Sequence, residues 1–447
     1  MRLARPALPL VVIGVVGVVG VALTGACGTT GDADDPDAGG GDAAPDAAPL
    51  IPTPARARIR APARRQACPV APGGLVEDGG LVPIDRCAFP LEDRDEWRDR
   101  GAIVDDLAAA LDTVPLADVL GDLNRTATPI ATGALPGDAP GVRQAFGWQS
   151  GDNGVAYWIP QGITGSGDAV TGGRVDGRRV LMVSWYYDPA GDPGSTVDKG
   201  VRVAVVDATD PTDVRYRFVL LVDPVVVDGH ASFAPVPVHA GGLAWVGHYL
   251  YVVHTGVGFR VFDLDHVMKV DTSVDAIGYD ATTDAYHAHG YAYVLPQVDT
   301  VAQVSACAPR FSFVSVDRTS TPPSLLSGEY DATSITGRLY RWPLDAATGR
   351  LQVVGDGRVI ADRAWWSGHS HLQGGLALDD NLWLSSSKPP GAGGDLYHAR
   401  EGAPSQTFGW SDSPEDLSYD PVDASLWSLS EAAGARYVFA VDRAAVE

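Results

Sequence analysis

Residues 144–152 read QAFGWQSGD, and residues 406–412 read QTFGWSD. Each copy is followed by a proline-containing apolar segment, at 159–163 after the first copy and at 413–417 after the second. A motif that occurs at the front of a domain and again one unit before its end is typical of a ring of repeated β-sheets. In such a ring the first strand completes the last sheet. The sequence therefore predicts a ring that strand 144–148 closes.

Four short segments align as the first strand of a repeated unit. They are 160–163 (PQGI), 240–243 (AGGL), 373–376 (QGGL) and 414–417 (PEDL). A second strand follows each of them, and a third strand ending on Asp follows in three cases. This order is typical of β-propeller blades, which pack face to face.

Residues 287–363 form a fifth, less regular unit that is long enough to hold a sixth blade. The predicted fold class is therefore all-β: a five-bladed propeller, or a six-bladed one if this stretch holds two blades, with a short N-terminal helical lead-in. Helical spacing of apolar residues between 92 and 124 predicts two short helices in the lead-in.

Composition divides the chain into four segments. The second is rich in Asp, Ala, Gly and Pro, has almost no large apolar residue to bury, and is predicted to be a disordered tether. The segments are 1–26, an export signal; 27–66, the tether with its Arg-rich end; 67–140, a cysteine-containing loop and the helical lead-in; and 141–447, the propeller.

The N-terminal signal resembles a bacterial lipoprotein signal. Two arginines precede an apolar run at 8–23, and small residues precede Cys27. The resemblance implies that Cys27 is the lipid-modified first mature residue and that the protein is exported to the cell surface on a lipid anchor. Thr24 departs from the pattern, because Leu23 lies one position early. Ordinary cleavage, which would release a secreted protein, and a retained anchor are the alternatives.

The charge balance limits the partners of this protein. The formal net charge is −23, with 33 Lys and Arg against 56 Asp and Glu. A nucleic-acid partner is not expected, because it requires a basic surface. A closed ring leaves no long free strand edge, and we expect a monomer.

Three cysteines follow the tether. Cys68 and Cys87 bracket a short Pro/Gly loop, which in an exported protein predicts a disulfide between them. Cys307 is then left over. A bond from Cys307 to Cys68 or to Cys87 is the alternative.

All ten histidines lie at or after residue 230, and several fall where first strands begin. The starts of successive first strands converge at one mouth of a propeller channel, and a His-x-His pair on a strand points both rings to one face. The predicted ligands of one divalent ion (calcium, manganese or zinc) are His239, His289, His369 and His371. Clustered histidines that hold a metal resemble the site of the oligogalacturonate lyases. The alternative is that these rings bond rim carbonyls and water.

Four other residues are candidates for ligand binding. Gln161 and Glu415 lie on predicted first strands, where Glu415 replaces the glycine of other units and is expected to face the channel. Trp365 and Trp366 are predicted to offer flat rings for a sugar. The alternatives are turn capping for Glu415 and core packing for the tryptophans.

The region 145–447 resembles the bacterial secreted β-propellers that include gluconolactonase-like and NHL-type rings, through its PQGI and PEDL segments. In gluconolactonase-like rings, an acidic residue near the position of Glu415 helps to hold calcium. The resemblance implies an architecture and no catalytic residue. We predict a binding module that engages a polysaccharide or a protein at the channel mouth. The alternatives are a metal-dependent lyase or hydrolase acting on an acidic sugar or lactone, and a purely structural envelope protein.

Overall fold

The computed structural model describes residues 67–355, 357–389 and 391–447, and strands dominate it. The predicted export signal, Cys27 and the tether lie outside the described residues. None of the helices in the described part of the chain is long and apolar enough to cross a bilayer.

Twenty strands form five units of four strands each, and consecutive strands within a unit pair antiparallel. Short turns join most of these strands, which favours antiparallel pairing of neighbours. The strands of unit 1 are Trp158–Gly165, Val180–Tyr187, Val201–Asp207 and Arg215–Val227; of unit 2, Leu243–Val246, Tyr249–His254, Gly258–Asp263 and Tyr293–Gln303; of unit 3, Phe311–Asp317, Ser324–Glu329, Arg338–Pro343 and Arg363–Trp366; of unit 4, Leu372–Leu378, Asn381–Ser386, Gly394–Arg400 and Ala403–Trp410; and of unit 5, Pro414–Asp420, Ser425–Ser430, Tyr437–Asp442 and Val142–Gly147.

The fourth strand of unit 5 comes from the front of the domain. Val142–Gly147 pairs antiparallel with Tyr437–Asp442, and Phe146 lies opposite Val438. The second copy of the FGW motif ends Ala403–Trp410, which is the fourth strand of unit 4. The two copies therefore occupy corresponding strands of successive units.

The first strands of the five units contact one another in cyclic order. Each contacts the first strand of the next unit, in the cyclic order of units 1, 2, 3, 4 and 5 and back to 1. Glycine permits this approach: a Cβ on Gly162 would lie 2.7 Å from the carbonyl carbon of Gly242, and one on Gly374 would lie 2.7 Å from the Cα of Asp416. The Gly-rich motifs thus mark positions where two backbones touch.

The irregular stretch 287–363 is divided between two units. Residues 287–298, which the sequence places in the fifth unit, belong largely to the fourth strand of unit 2. The first strand of unit 3 is Phe311–Asp317, which has no Gly-Gly pair. The ring of Phe313 fills the space beside Gly375, so this strand does not share the motif of the other four.

The lead-in packs against units 1 and 2. Its helices are α1 (Trp97–Ala110) and α2 (Leu116–Gly121), within the stretch where helical spacing predicts them. The fourth strands of units 1 and 2 also pair with each other, in parallel. The remaining helices of four residues are Ser150–Asn153 and Ser166–Ala169, and the remaining strands are Val82–Pro83, Leu91–Asp93, Arg125–Thr126, Thr128–Pro129, His230–Pro235, Met268–Lys269, Ile277–Asp280, Ala285–Ala288, Val353–Val354 and Arg358–Val359.

The disulfide predicted between Cys68 and Cys87 is wrong. Cys68 is bonded to Cys307, with their Cα atoms 5.3 Å apart, which is the alternative pairing. The reason is spatial: Val82–Pro83 pairs with Arg363–Trp366, which holds the front of the described chain against unit 3.

Candidate active site at the channel mouth

We call the end at which the first strands begin the mouth, and every unit contributes side chains to it. These side chains stand on or next to the mouth ends of first and second strands, where neighbouring units come closest. They are Gln161 and Tyr186 from unit 1, His239 before unit 2, Tyr330 from unit 3, His371 and Gln373 from unit 4, and Glu415 and Glu431 from unit 5.

Two carboxyl groups are the centre of this cluster. Glu415 lies on the first strand of unit 5 with 1% of its surface exposed, and its Oε1 accepts a hydrogen bond of 3.2 Å from the amide of Gln373. Glu431 follows the second strand of the same unit, and its Oε2 accepts a hydrogen bond of 2.7 Å from the amide of Gln161. Neutral amides from units 1 and 4 therefore hold both carboxyl groups from opposite sides of unit 5.

Burial raises the pKa of both groups. Burial, together with the charges of Glu431 and Asp416, raises the pKa of Glu415 well above its usual value. Burial also raises the pKa of Glu431, but the hydrogen bond from Gln161 and the positive charge of Arg436 oppose that rise. Glu431 is therefore the easier of the two to ionise.

A third carboxyl group lies next to them. Asp416 is completely buried, and its Oδ2 accepts hydrogen bonds of 3.2 Å from the backbone N–H groups of Ile163 and Leu243. Asp416 thus ties unit 5 to units 1 and 2. Its Oδ1 has no hydrogen-bond partner, and burial raises its pKa well above the usual range.

Two tyrosine–histidine contacts border the carboxyl groups. The rings of Tyr186 and His239 lie 4.4 Å apart between their centroids, and those of Tyr330 and His371 lie 5.8 Å apart, edge to face. Burial, followed by the charge of Glu431, raises the pKa of Tyr186 to about 12. Burial lowers the pKa of His239. Both phenols thus stay protonated at neutral pH and able to donate hydrogen bonds.

A cavity of about 560 Å³ opens beside the mouth, on unit 3. Tyr330 lines it and also contacts the ring of His371 at the mouth. The other side chains that line the cavity include Arg310, Glu329, Asp331, Arg338 and Trp366. The cavity therefore adjoins the mouth at Tyr330.

The four histidines predicted to hold a metal do not share a partner. His239 and His371 lie at the mouth. His289 is bonded through Nδ1 to Asp275 at 2.7 Å, beside Lys199, and His369 is bonded through Nε2 to Ser405 at 3.0 Å and stacks on Tyr397. The period-two pattern places His-x-His rings on one face only while the strand is regular, and both His289 and His371 have positive φ.

Of the four residues predicted to bind a ligand, two lie at the mouth and two do not. Gln161 and Glu415 lie at the mouth. Trp365 and Trp366 stand on the fourth strand of unit 3 and are only 3% and 6% exposed, so neither offers an open face for a sugar. Trp365 donates its N–H to Glu401, and Trp366 lines the cavity with one edge.

A separate group of potential metal ligands lies at the other end of the strands. His248 Nδ1 is 2.9 Å from Asp263 and 3.2 Å from Asp265, and the ligand atoms of the three residues lie within 4.8 Å of one another. It is the only group of three or more His, Cys, Asp or Glu residues at this spacing in the described part of the chain. Because His248 follows the first strand of unit 2 rather than preceding it, the group is not part of the mouth.

The sequence did not single out Glu431, Gln373 or Tyr330 as site residues. Glu431 follows a second strand, and only the antiparallel pairing of Pro414 with Ser430 brings it beside Glu415. Gln373 is the first residue of the QGGL segment, whereas Gln161 is the second residue of PQGI. A polar side chain at the start of a predicted first strand is the one signal that pointed to Gln373.

Comparisons with known proteins add little. No family model matches the chain, and no curated protein matches it. Among solved structures, it is similar to the GH43_1 enzyme from Xanthomonas citri, with 10% identity and a TM-score of 0.30, over 76% of this chain and 92% of that chain. It is also similar to PhoX from Pseudomonas fluorescens in complex with vanadate, with 10% identity and a TM-score of 0.31, over 74% and 97%, and to the hydrazine synthase of Kuenenia stuttgartiensis, with 13% identity and a TM-score of 0.25, over 61% and 74%. Likenesses this weak carry no argument about activity.

Proposed function

We propose that the five units form a closed five-bladed β-propeller and that its mouth is the active site of a hydrolase acting on a carbohydrate. One observation carries the proposal: Glu415 and Glu431 are paired at the mouth, held by glutamine amides, and neither side chain forms an ion pair with any described residue. Hydrolysis of a glycosidic bond requires two carboxyl groups at one site, one that donates a proton and one that accepts a proton.

The environments of the two groups assign their roles. Glu415 keeps its proton and acts as the general acid. Glu431, which the charge of Arg436 and the bond from Gln161 help to ionise, acts as the general base. Glu415 gives its proton to the leaving glycosidic oxygen as the bond from that oxygen to the anomeric carbon breaks. Glu431 takes a proton from the water whose oxygen bonds to the same carbon, so atoms and charge balance.

The surroundings favour an enzyme over a binding module. A polysaccharide-binding surface needs exposed aromatic rings, whereas Trp365 and Trp366 are buried. The cavity beside the mouth gives a substrate space next to the carboxyl pair, and Tyr330, which is 40% exposed, supplies a ring at the boundary. The site therefore has the carboxyl groups that catalysis needs, and it has few of the exposed aromatic rings that binding a glycan would need.

A metal-dependent hydrolase or lyase is the second candidate. The observation in its favour is the buried Oδ1 of Asp416, which has no partner. This atom would offer a divalent ion one hard oxygen ligand of the kind that calcium prefers. Glu415 and Glu431 would have to move closer to Asp416 to complete a site, because the three carboxyl groups do not lie at ligand spacing in the described chain. Calorimetric titration of calcium into the wild type and into Asp416→Asn tests this candidate: binding that the substitution abolishes supports it, and no binding to the wild type counts against it.

We propose further that the protein acts outside the cell as a monomer, anchored by lipid at Cys27. Labelling with a radioactive fatty acid tests the anchor. We expect the wild type to be labelled and Cys27→Ala to be unlabelled and released into the medium.

The hydrolase is tested with polysaccharides and with aryl glycosides, for the wild type, Glu415→Gln, Glu431→Gln and the control Glu77→Gln, whose side chain is exposed. We expect both mouth variants to lose about 10²- to 10⁴-fold in rate on polysaccharides. Glu415→Gln should keep far more activity on aryl glycosides, because a phenolate leaves without being protonated. The control should match the wild type. If folded Glu415→Gln and Glu431→Gln proteins hydrolyse every substrate of the wild type at its rate, or if the wild type hydrolyses none, the proposal fails.

A further inference from the structure

We infer that the cavity beside the mouth binds the carboxylate of a uronic acid through Arg310, so that the substrate is an acidic polysaccharide. This deepens the proposed function and rests on it. Arg310 immediately precedes the first strand of unit 3, its side chain is exposed, and its backbone N–H donates to Glu329 at 2.9 Å.

The positive charge of Arg310 is not paired with any described residue. Its guanidinium makes no hydrogen bond or ion pair with any residue in the described part of the chain. Other arginines are already bound within the protein: Arg143 to Asp442, Arg260 to Gln297, and Arg363 to Asp380. Arg310 is thus placed to receive an anion from outside.

The acidic groups of the cavity are already satisfied and do not compete for Arg310. Glu329 accepts two hydrogen bonds from the guanidinium of Arg338, at 2.6 and 2.7 Å, and two more from backbone N–H groups. Asp331 accepts from Thr333 and Ser334 in its own turn. Arg338 neutralises Glu329, and Asp331 keeps its charge within its own turn, so Arg310 is the one cation of the cavity lining that pairs with no described carboxylate.

The wall that carries Arg310 is fixed in place. Cys307, three residues earlier, is joined to Cys68, and its carbonyl oxygen accepts hydrogen bonds from Arg338 at 3.2 and 3.3 Å. A guanidinium on a fixed backbone matches the two oxygens of a carboxylate by a pair of parallel hydrogen bonds. Because Tyr330 lines the cavity and contacts His371 at the mouth, the bound uronate would lie near the sugar whose bond is cleaved.

Binding is measured by calorimetry on the full-length Glu431→Gln protein, which holds the substrate without hydrolysing it. The probes are trigalacturonate, neutral galactotriose and a sulfated galactotriose. We expect trigalacturonate to bind more tightly than galactotriose. Adding Arg310→Gln should weaken trigalacturonate on the order of 10- to 100-fold and change galactotriose less than about 2-fold. Arg310→Lys should lose less than Arg310→Gln.

The matched control is Arg94→Gln, which removes another exposed arginine that lies outside the cavity, and it should bind all three probes like its parent. Equal binding of trigalacturonate by the parent and its Arg310→Gln variant would overturn the inference, as would preference for the sulfated probe or no binding of trigalacturonate. Binding with the expected Arg310 dependence, but no hydrolysis by the wild type, would uphold the inference and reject the hydrolase. Melting temperatures establish that each variant is folded.

Discussion

At the scale of single residues, the close approach of neighbouring first strands depends on glycine, which has no side chain. Gly162 has no room for a Cβ, since it would lie 2.7 to 2.8 Å from backbone atoms of Gly242 and Leu243, which cannot move independently of unit 2. Gly162→Ala is therefore expected to lower the free energy of unfolding by about 1–3 kcal/mol, measured by urea denaturation. Gly101→Ala, in α1 where a Cβ meets nothing within 4 Å, should instead be stabilising. A stable Gly162→Ala protein would contradict the close contact of units 1 and 2.

Asp168 should make stability depend on pH. It is buried, and its Oδ2 accepts hydrogen bonds from Thr164, Gly165 and Ser418, but burial outweighs them and raises its pKa from 3.8 to about 6. The folded state therefore holds this proton more tightly than the unfolded state, so stability falls as pH rises from about 4 through about 6. The loss is about 3 kcal/mol, at 1.36 kcal/mol for each pKa unit.

Asp168→Asn tests this directly, because an amide oxygen can accept the same three hydrogen bonds without ionising. Urea denaturation at pH 4 and pH 7 should show a smaller difference for the variant than for the wild type. Asp228→Asn is the control on an exposed turn and should leave the difference unchanged. An unchanged pH difference in Asp168→Asn would show that other groups cause it.

At the scale of elements, the segment 67–93 is a strap across unit 3. Its disulfide joins residues 239 apart in sequence, and Val82–Pro83 extends the sheet of that unit. Cross-linking so distant a pair restricts the unfolded chain strongly, and Cys68→Ser/Cys307→Ser should lose about 2–5 kcal/mol of unfolding free energy. Val70→Ser, at an 89% exposed position of the same segment, is the control.

Hydrogen exchange shows whether the strap itself is loosened. In the double variant, exchange should quicken first around Leu81 and Phe89, which are buried against the units. Uniformly faster exchange across all five units would instead indicate that the disulfide stabilises all of them. The same fixed wall positions Arg310, so weaker trigalacturonate binding should accompany the loss of the disulfide.

At the scale of the whole molecule, the two ends of the domain share one sheet. Phe146 is fully buried on the strand that completes unit 5, so Phe146→Ala is expected to cost about 3–5 kcal/mol. Because that strand joins the first part of the domain to the last, the variant should still unfold in one transition, seen together by near- and far-ultraviolet circular dichroism. Val422→Ala, at a 54% exposed site, should change stability little. A separate early transition in Phe146→Ala would show that unit 5 unfolds alone.

Much of this architecture was readable in the sequence because it repeats. The FGW copies at 146–148 and 408–410 mark corresponding strands, and the glycines of PQGI, AGGL and QGGL mark where first strands meet. The same alignment placed four residues at the mouth, because equivalent positions of the repeat lie at the same end of the first strands. They are Gln161, Glu415, His239 and His371.

Only the tertiary structure decided which distant residues come together at these positions. It brought Glu431 beside Glu415, paired Cys68 with Cys307 and left the guanidinium of Arg310 without a partner in the described chain. The physical reason is that a local pattern specifies a strand and the faces of that strand. Burial, ion pairing and disulfide bonding depend instead on which distant strands become its neighbours, and those contacts join residues that no periodicity relates.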